Sequence, residues 1–212
     1  MTRDTFTRLS SALLLAALLG ACSALPDKPV RATLYDFGPL LEAAAPARLT
    51  GAPIALADVE AAGALDGSSI LYRLGYADDH QLRPYANSRW SATPPQLMRQ
   101  RLRQQLGRER AVLDLVDTAA LARSGGASPR VLHIDLEEFS QLFETAASSF
   151  GVVRIRATLM DNTAGGEVLV AQRAFTARRP APTADASGGV RALAQASDAV
   201  ADELAQWLNA QR

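Results

Sequence analysis

The sequence predicts an α+β fold, a mostly antiparallel sheet with two main helices packed on one face, in a single compact domain behind an N-terminal tether. Three observations predict it. Segments such as Val131 to Glu137 and Val152 to Met160 alternate apolar and polar residues with the period of two of a half-buried strand. Two stretches, after Thr93 and after Gly189, repeat apolar residues at helical spacing instead. Strands come in runs joined by short turn signals, with a helix closing each run, which is the order of an α+β domain.

The first 21 residues stand apart. Arg3 and Arg8 precede an uncharged, Leu- and Ala-rich run from Ser10 to Ala21, the n-region and h-region of a signal peptide. The run is too short to span a bilayer, which takes roughly 20 apolar residues. It ends at Leu19-Gly20-Ala21-Cys22, which resembles a lipobox, so cleavage before Cys22 and acylation of its sulfur with fatty chains such as palmitate are expected. One acyl chain holds a protein only marginally, and two or three hold it stably. Ser23 follows the cysteine, and the resemblance to bacterial lipoproteins implies sorting to the outer membrane. The expected organisation is a cleaved signal peptide over 1–21, a lipidated tether over 22–31 and a folded domain over 32–212. Cys22 is the sole cysteine, so no disulfide and no Cys-based metal site forms within the chain. Lysines plus arginines equal aspartates plus glutamates at 22 each. Losing Arg3, Arg8 and Asp4 shifts the balance by one negative charge, and no basic excess points to nucleic acid.

Along the mature chain, Ala32 to Phe37 reads as a short strand stopped by Gly38-Pro39, and Glu42 to Gly51 as a surface connection. Strand character returns from Ala52, with Ile54 and Leu56 alternating with Ala55 and Ala57. After Asp66-Gly67, Ser69 to Tyr76 puts Ile70, Tyr72, Leu74 and Tyr76 on one face. Ala77 to His80 is a polar turn, and Gln81 to Trp90 the partner strand, confined by Pro84 to an edge or an irregular position. Thr93 with Pro94 and Pro95 opens a helix carrying Leu97, Met98, Leu102 and Leu106, with Arg99, Arg101 and Arg103 expected outside and a left-handed glycine stop at Gly107. Ala111 to Val116 reads as a further strand, and Arg123 to Arg130 as a loop. Val131 to Glu137 follows as a strand, and Val152 to Met160 turns through Asn162 to Gly166 into Glu167 to Thr176, a hairpin. A linker over Arg179 to Gly189 leads to a last helix with Val190, Leu193, Val200, Leu204, Trp207 and Leu208 on one side.

Residues for chemistry are sparse. Neither histidine has metal-ligand spacing. Asp78, Asp79 and His80 read as a solvated turn rather than a cation site, and His133 as a surface residue. No Gly-x-Ser-x-Gly occurs. Gly165-Gly166 and Gly188-Gly189 suit a turn and the start of a helix better than a phosphate cradle. Asp135, Glu137 and Glu138 suit a charged wet face. No catalytic residue, cofactor or metal is therefore expected, apart from the covalent lipid on Cys22.

One segment is richer. Tyr72, Arg73, Tyr76, Arg83, Tyr85, Asn87, Arg89 and Trp90 concentrate aromatics and arginines in a chain with few aromatics, the composition of interface anchors. The plainer alternative makes Tyr72, Tyr76 and Trp90 core residues covered by arginine stems.

At this segment the sequence resembles the ABC-type transport auxiliary lipoproteins, which include the paraquat-inducible protein C group. The residues that carry the likeness are the lipobox at Cys22, Leu34-Tyr35-Asp36-Phe37-Gly38, Tyr72-Arg73-Leu74, and Tyr85-Ala86-Asn87-Ser88-Arg89-Trp90-Ser91 with Pro94-Pro95 and Leu97-Met98. Leu136-Glu137-Glu138-Phe139, Phe175 and Trp207-Leu208 continue it. The resemblance implies a non-enzymatic periplasmic component of a lipid transport system. Its partners would be a mammalian-cell-entry-type substrate-binding protein, a permease and an ATPase, with a homo-oligomer conceivable. The two rival readings are a carrier whose strands enclose a phospholipid and, ranked last, an envelope hydrolase.

Overall fold

Glu137 is one residue too many for the pairing of its strand. The structure, a computed structural model, describes residues 31–39, 49–61, 63–118, 128–163 and 165–211. Cys22, the signal peptide, most of the tether, the connection over 42–48 and the loop over 123–127 lie outside the described residues. Residues Ala32–Arg212 make one unit. Its strands are β1 (Thr33–Tyr35), β2 (Ile54–Ala61), β3 (Ser69–Leu74), β4 (Asp78–Trp90), β5 (Val112–Leu113), β6 (Arg130–Phe143), β7 (Ser149–Thr163) and β8 (Gly166–Pro180). Helix α1 spans Pro94–Leu106 and α2 Ala186–Ala210, with a 3-10 turn at Gly63–Asp66.

All eight strands join in one sheet organised around β6. One edge of β6 pairs antiparallel with β7, which pairs antiparallel with β8; these are the long ladders. The other edge is shared. Its first half takes β2 in parallel, its last residues take β3 in parallel, and β5 and β4 continue outward from these, with β1 parallel to the end of β4. The antiparallel character expected from the sequence holds in the β3–β4, β6–β7 and β7–β8 pairs, with short parallel additions around them.

Within β6, Leu132, Ile134 and Leu136 face the core, and then Phe139 does. A bulge between Leu136 and Glu138 absorbs the extra residue, as such bulges do by leaving one residue unpaired. That is why the strand runs on to Phe143 although its alternation breaks at Glu137. Glu137 is turned outward, where its carboxylate accepts from Arg154 Nε and Arg156 Nε, each at 2.7 Å.

Helix α1 opens as the sequence suggests, with Gln96 Oε1 accepting from the Thr93 N–H at 3.2 Å. Two expectations about it change. Gly107 has φ −63°, a right-handed value; a glycine fits there because a Cβ would stand 2.8 Å from the Arg103 carbonyl oxygen. Arg101 is buried, not exposed. Residues two apart on a helix point to nearly opposite sides, and Arg101 lies four residues after Leu97, on the buried stripe. Arg99 and Arg103, four apart, share the outer side and both donate to Asp114 Oδ1 at 2.6 Å.

Helix α2 starts at Ala186, four residues before the expected Val190, because Asp185 caps it by accepting from the Gly188 N–H at 2.7 Å. Its apolar side lies on β7 and β8, and Gly151 of β7 permits the approach. A Cβ on Gly151 would stand 2.5 Å from the backbone of Ala192 and Leu193. Both helices bury their stripes in one cluster with Leu56, Ile70, Trp90, Ile155 and Phe175. The expected strand over Ala111 to Val116 is reduced to Val112–Leu113, and the chain turns helical over 115–118, where Thr118 Oγ1 donates to the Asp114 carbonyl at 3.0 Å.

Candidate partner-binding surface

The β3–β4 hairpin brings together the segment singled out by composition, and it sorts those residues into a supporting layer and a surface. Trp90, the last residue of β4, is 2 % exposed. Its ring meets Phe37 edge-on at 5.8 Å and Phe139 at 5.5 Å. In this fold Trp90 is therefore a core residue that fixes β4 from beneath. Of the two readings of the segment, the core one therefore holds for Trp90.

Tyr72 and Tyr85 form the next layer. Their rings lie 4.6 Å apart, and Tyr72 also meets Phe143 at 5.9 Å, separations within the range where ring pairs add to burial energy. The Tyr85 hydroxyl donates to Gln141 Oε1 at 2.8 Å. Burial raises the Tyr85 phenol well above its ordinary range, and the neighbouring Tyr72 and Asp185 push in the same direction. It stays a protonated donor.

The arginines are tied down locally. Arg73 reaches Glu138 at 3.4 Å and the Asp79 carbonyl at 3.1 Å. Arg83 Nε donates to Gln81 Oε1 at 2.9 Å, and Arg89 donates to the carbonyls of Ser88 and Tyr85. These contacts hold the guanidinium stems along the hairpin. Tyr76 stands apart in the turn after β3, beyond the strand that was expected to include it, and is 52 % exposed. Asn87 is also exposed. Pro84 stands opposite Leu71 of β3, beside a register shift, and β1 pairs with β4 only from Ser88 to Trp90, so among the described residues Pro84 sits on an uncovered edge, as expected.

The acidic trio opens β4 itself: the strand begins at Asp78 rather than at the expected Gln81, and the turn is confined to residues 75–77. Asp78, Asp79 and His80 are exposed, and their ligand atoms lie within 4.8 Å of one another; the imidazole Nδ1 sits 2.9 Å from Asp79 and 3.5 Å from Asp78. His133 is 3.3 Å from Glu167 on the helix-free side of the sheet. Asp135 and Glu138 lie on that side too, opposite Arg156 and Arg154.

Two features escaped sequence reasoning. Gln141 is fully buried and passes the contact with Tyr85 onward, its Nε2 donating to Ser149 Oγ at 2.7 Å. Arg101 lies 5.5 Å from the centre of the Phe37 ring, donates to the Phe37 carbonyl at 2.8 Å and reaches Asp198 at 3.2 Å. Burial raises the Asp198 carboxyl, which Arg101 pulls back down and Asp202 pushes up. Polar residues at core-facing positions were the available signal for both.

Comparison with known proteins bears on the whole domain. A family model described as ABC-type transport auxiliary lipoprotein component matches residues 35–205. The chain is similar to a crystal structure of a Xanthomonas campestris protein, with a TM-score of 0.68 and 21 % identity over 85 % of this chain and 96 % of that one. A second crystal structure, of an uncharacterized protein, has a TM-score of 0.59 and 17 % identity over 84 % of this chain and 99 % of that one. At such identities the likeness speaks for the fold alone. No curated protein matches by sequence. Among the described residues no helix is long and apolar enough to cross a membrane.

Proposed function

Because the chain belongs to the family of ABC-type transport auxiliary lipoprotein components, we propose that it is a non-enzymatic lipoprotein anchored through Cys22 to the outer membrane. There it docks the periplasm-spanning, mammalian-cell-entry-type subunit of a lipid transport system, which works with a permease and an ATPase, and so supports envelope integrity. The family match is the observation that carries this reading. The hairpin supports it, because its strands are held by the Tyr72–Tyr85 ring pair and the buried Trp90 while Tyr76 and Asn87 stand exposed to solvent. Anchors held in one geometry before binding lose less entropy when they dock. The chain from Cys22 to Thr33 reaches at most roughly 35–40 Å when extended, so acylation would confine the domain near the membrane and raise its effective concentration for a partner arriving there.

A photoreactive amino acid placed at Tyr76 or Asn87 in the native membrane tests the reading. Recovery of the mammalian-cell-entry-type subunit in the crosslinked product is expected. Recovery of no transporter component from either position would overturn it.

A further inference from the structure

At the end of β6 opposite the hairpin, the first residues of β2, β5 and β6 and the end of α2 surround a cavity of about 880 Å³. Its volume falls in the range of clefts that take small molecules, roughly 300–1,000 Å³. Its lining includes the aliphatic residues Ile54, Leu159 and Leu208, each no more than 5 % exposed, together with Leu113. Two guanidinium groups, Arg110 and Arg130, and one carboxylate, Asp161, also line it.

Both arginines are held in place. Arg110 is 5 % exposed and donates to Asn209 Oδ1. It packs across Gly51, where a Cβ would come within 3.1–3.2 Å of it. Arg130 donates through Nε to Asp161 at 2.8 Å and through Nη1 to the Gln211 carbonyl.

An aliphatic lining bordered by two fixed guanidinium groups against one carboxylate carries a net positive charge, which matches a molecule with an apolar chain and an anionic head. We propose that this cavity binds one straight-chain anionic amphiphile, of the fatty-carboxylate class, with its chain against Ile54, Leu159 and Leu208 and its head toward Arg130 and Arg110. The proposal is independent of the docking role, since it concerns the other end of β6 and requires no partner protein.

Binding of alkanoates from eight to fourteen carbons, and of the matching alkanols, tests it. The mature chain is reconstituted in phospholipid nanodiscs, 11-(dansylamino)undecanoate serves as the displaced fluorescent probe, and empty nanodiscs are subtracted. Affinity should rise about fourfold per added methylene until the cavity is filled. Leu113→Trp, which occupies the cavity from the half-buried strand β5, should abolish displaceable binding with the circular dichroism unchanged. Arg130→Gln should weaken the carboxylates by at least fivefold and leave the alkanols within twofold. A flat chain-length series, or equal binding by Leu113→Trp and the parent chain, would overturn the site. Equal loss for acids and alcohols in Arg130→Gln would overturn the head-group assignment.

Discussion

The hydroxyl of Tyr85 donates to Oε1 of Gln141 at 2.8 Å, which adds a side-chain tie from β4 to β6 beside the backbone pairing of β3 with β6. Gln141 then donates to Ser149, so β4, β6 and β7 share a buried polar relay. Removing the phenol oxygen leaves a buried acceptor without its donor, which costs about 1–2 kcal/mol. Tyr85→Phe should therefore lower stability by that amount in urea unfolding. Above pH 10 the parent should lose stability faster than the variant. The folded state holds the phenol above its ordinary value of 10.0, so the unfolded chain releases the proton first, and the stabilisation fades as the pH rises toward the folded value.

Gly189 abuts the same amide, and a Cβ there would overlap the Gln141 side chain. Gly151 faces the backbone of α2 at 2.5 Å. Gly151→Ala forces helix and sheet apart and should cost about 1–3 kcal/mol, whereas Gly67→Ala, which meets only the Ala64 carbonyl at 3.8 Å, should stay within about 0.5 kcal/mol. Thermal unfolding of the two variants side by side checks the contrast.

The two acids beside α1 should respond to pH in opposite directions. Hydrogen bonds from Arg103 and then Arg99 lower the Asp114 carboxyl. Its stabilisation is present above the ordinary carboxylate value of 3.8 and is lost as the pH falls through the folded value. Asp198 is raised, chiefly by burial, so its contribution is greatest below the ordinary value and fades as the pH rises through the folded one. Relative to the parent, Asp114→Asn should flatten the loss of stability on acidification, and Asp198→Asn should steepen it. Urea midpoints between pH 7 and pH 3 read both slopes.

What the sequence made legible follows from where alternation is unbroken. In β7, Val153, Ile155, Ala157 and Leu159 are all buried as expected, since the alternation within β7 is itself unbroken and the extra residue is carried by β6. Where a bulge intervenes, at Glu137, or where a polar side chain is buried with its partners, at Gln141 and Arg101, the one-dimensional pattern carries no sign of the compensation. Contacts between residues far apart in sequence supply it, such as Arg101 with the Phe37 carbonyl. The hairpin residues were found by composition alone, and composition does not separate Trp90 beneath the surface from Tyr76 on it.

That separation yields the sharpest test of the docking surface. Trp90 packs on Phe37 and Phe139, so Trp90→Ala opens a large void and should cost about 3–5 kcal/mol, with any loss of partner capture following from unfolding. Tyr76 is half exposed in a turn, and Tyr76→Ala should change stability by less than about 0.5 kcal/mol. If Tyr76 anchors a partner, its removal should weaken capture of the transporter subunit about tenfold or more, the effect of losing roughly 1.4 kcal/mol at an interface. Affinity capture from crosslinked membranes, run beside urea unfolding on the same preparations, measures both quantities. Undiminished capture by stable Tyr76→Ala would exclude Tyr76 as an anchor and shift attention to Asn87 and Arg83 along β4.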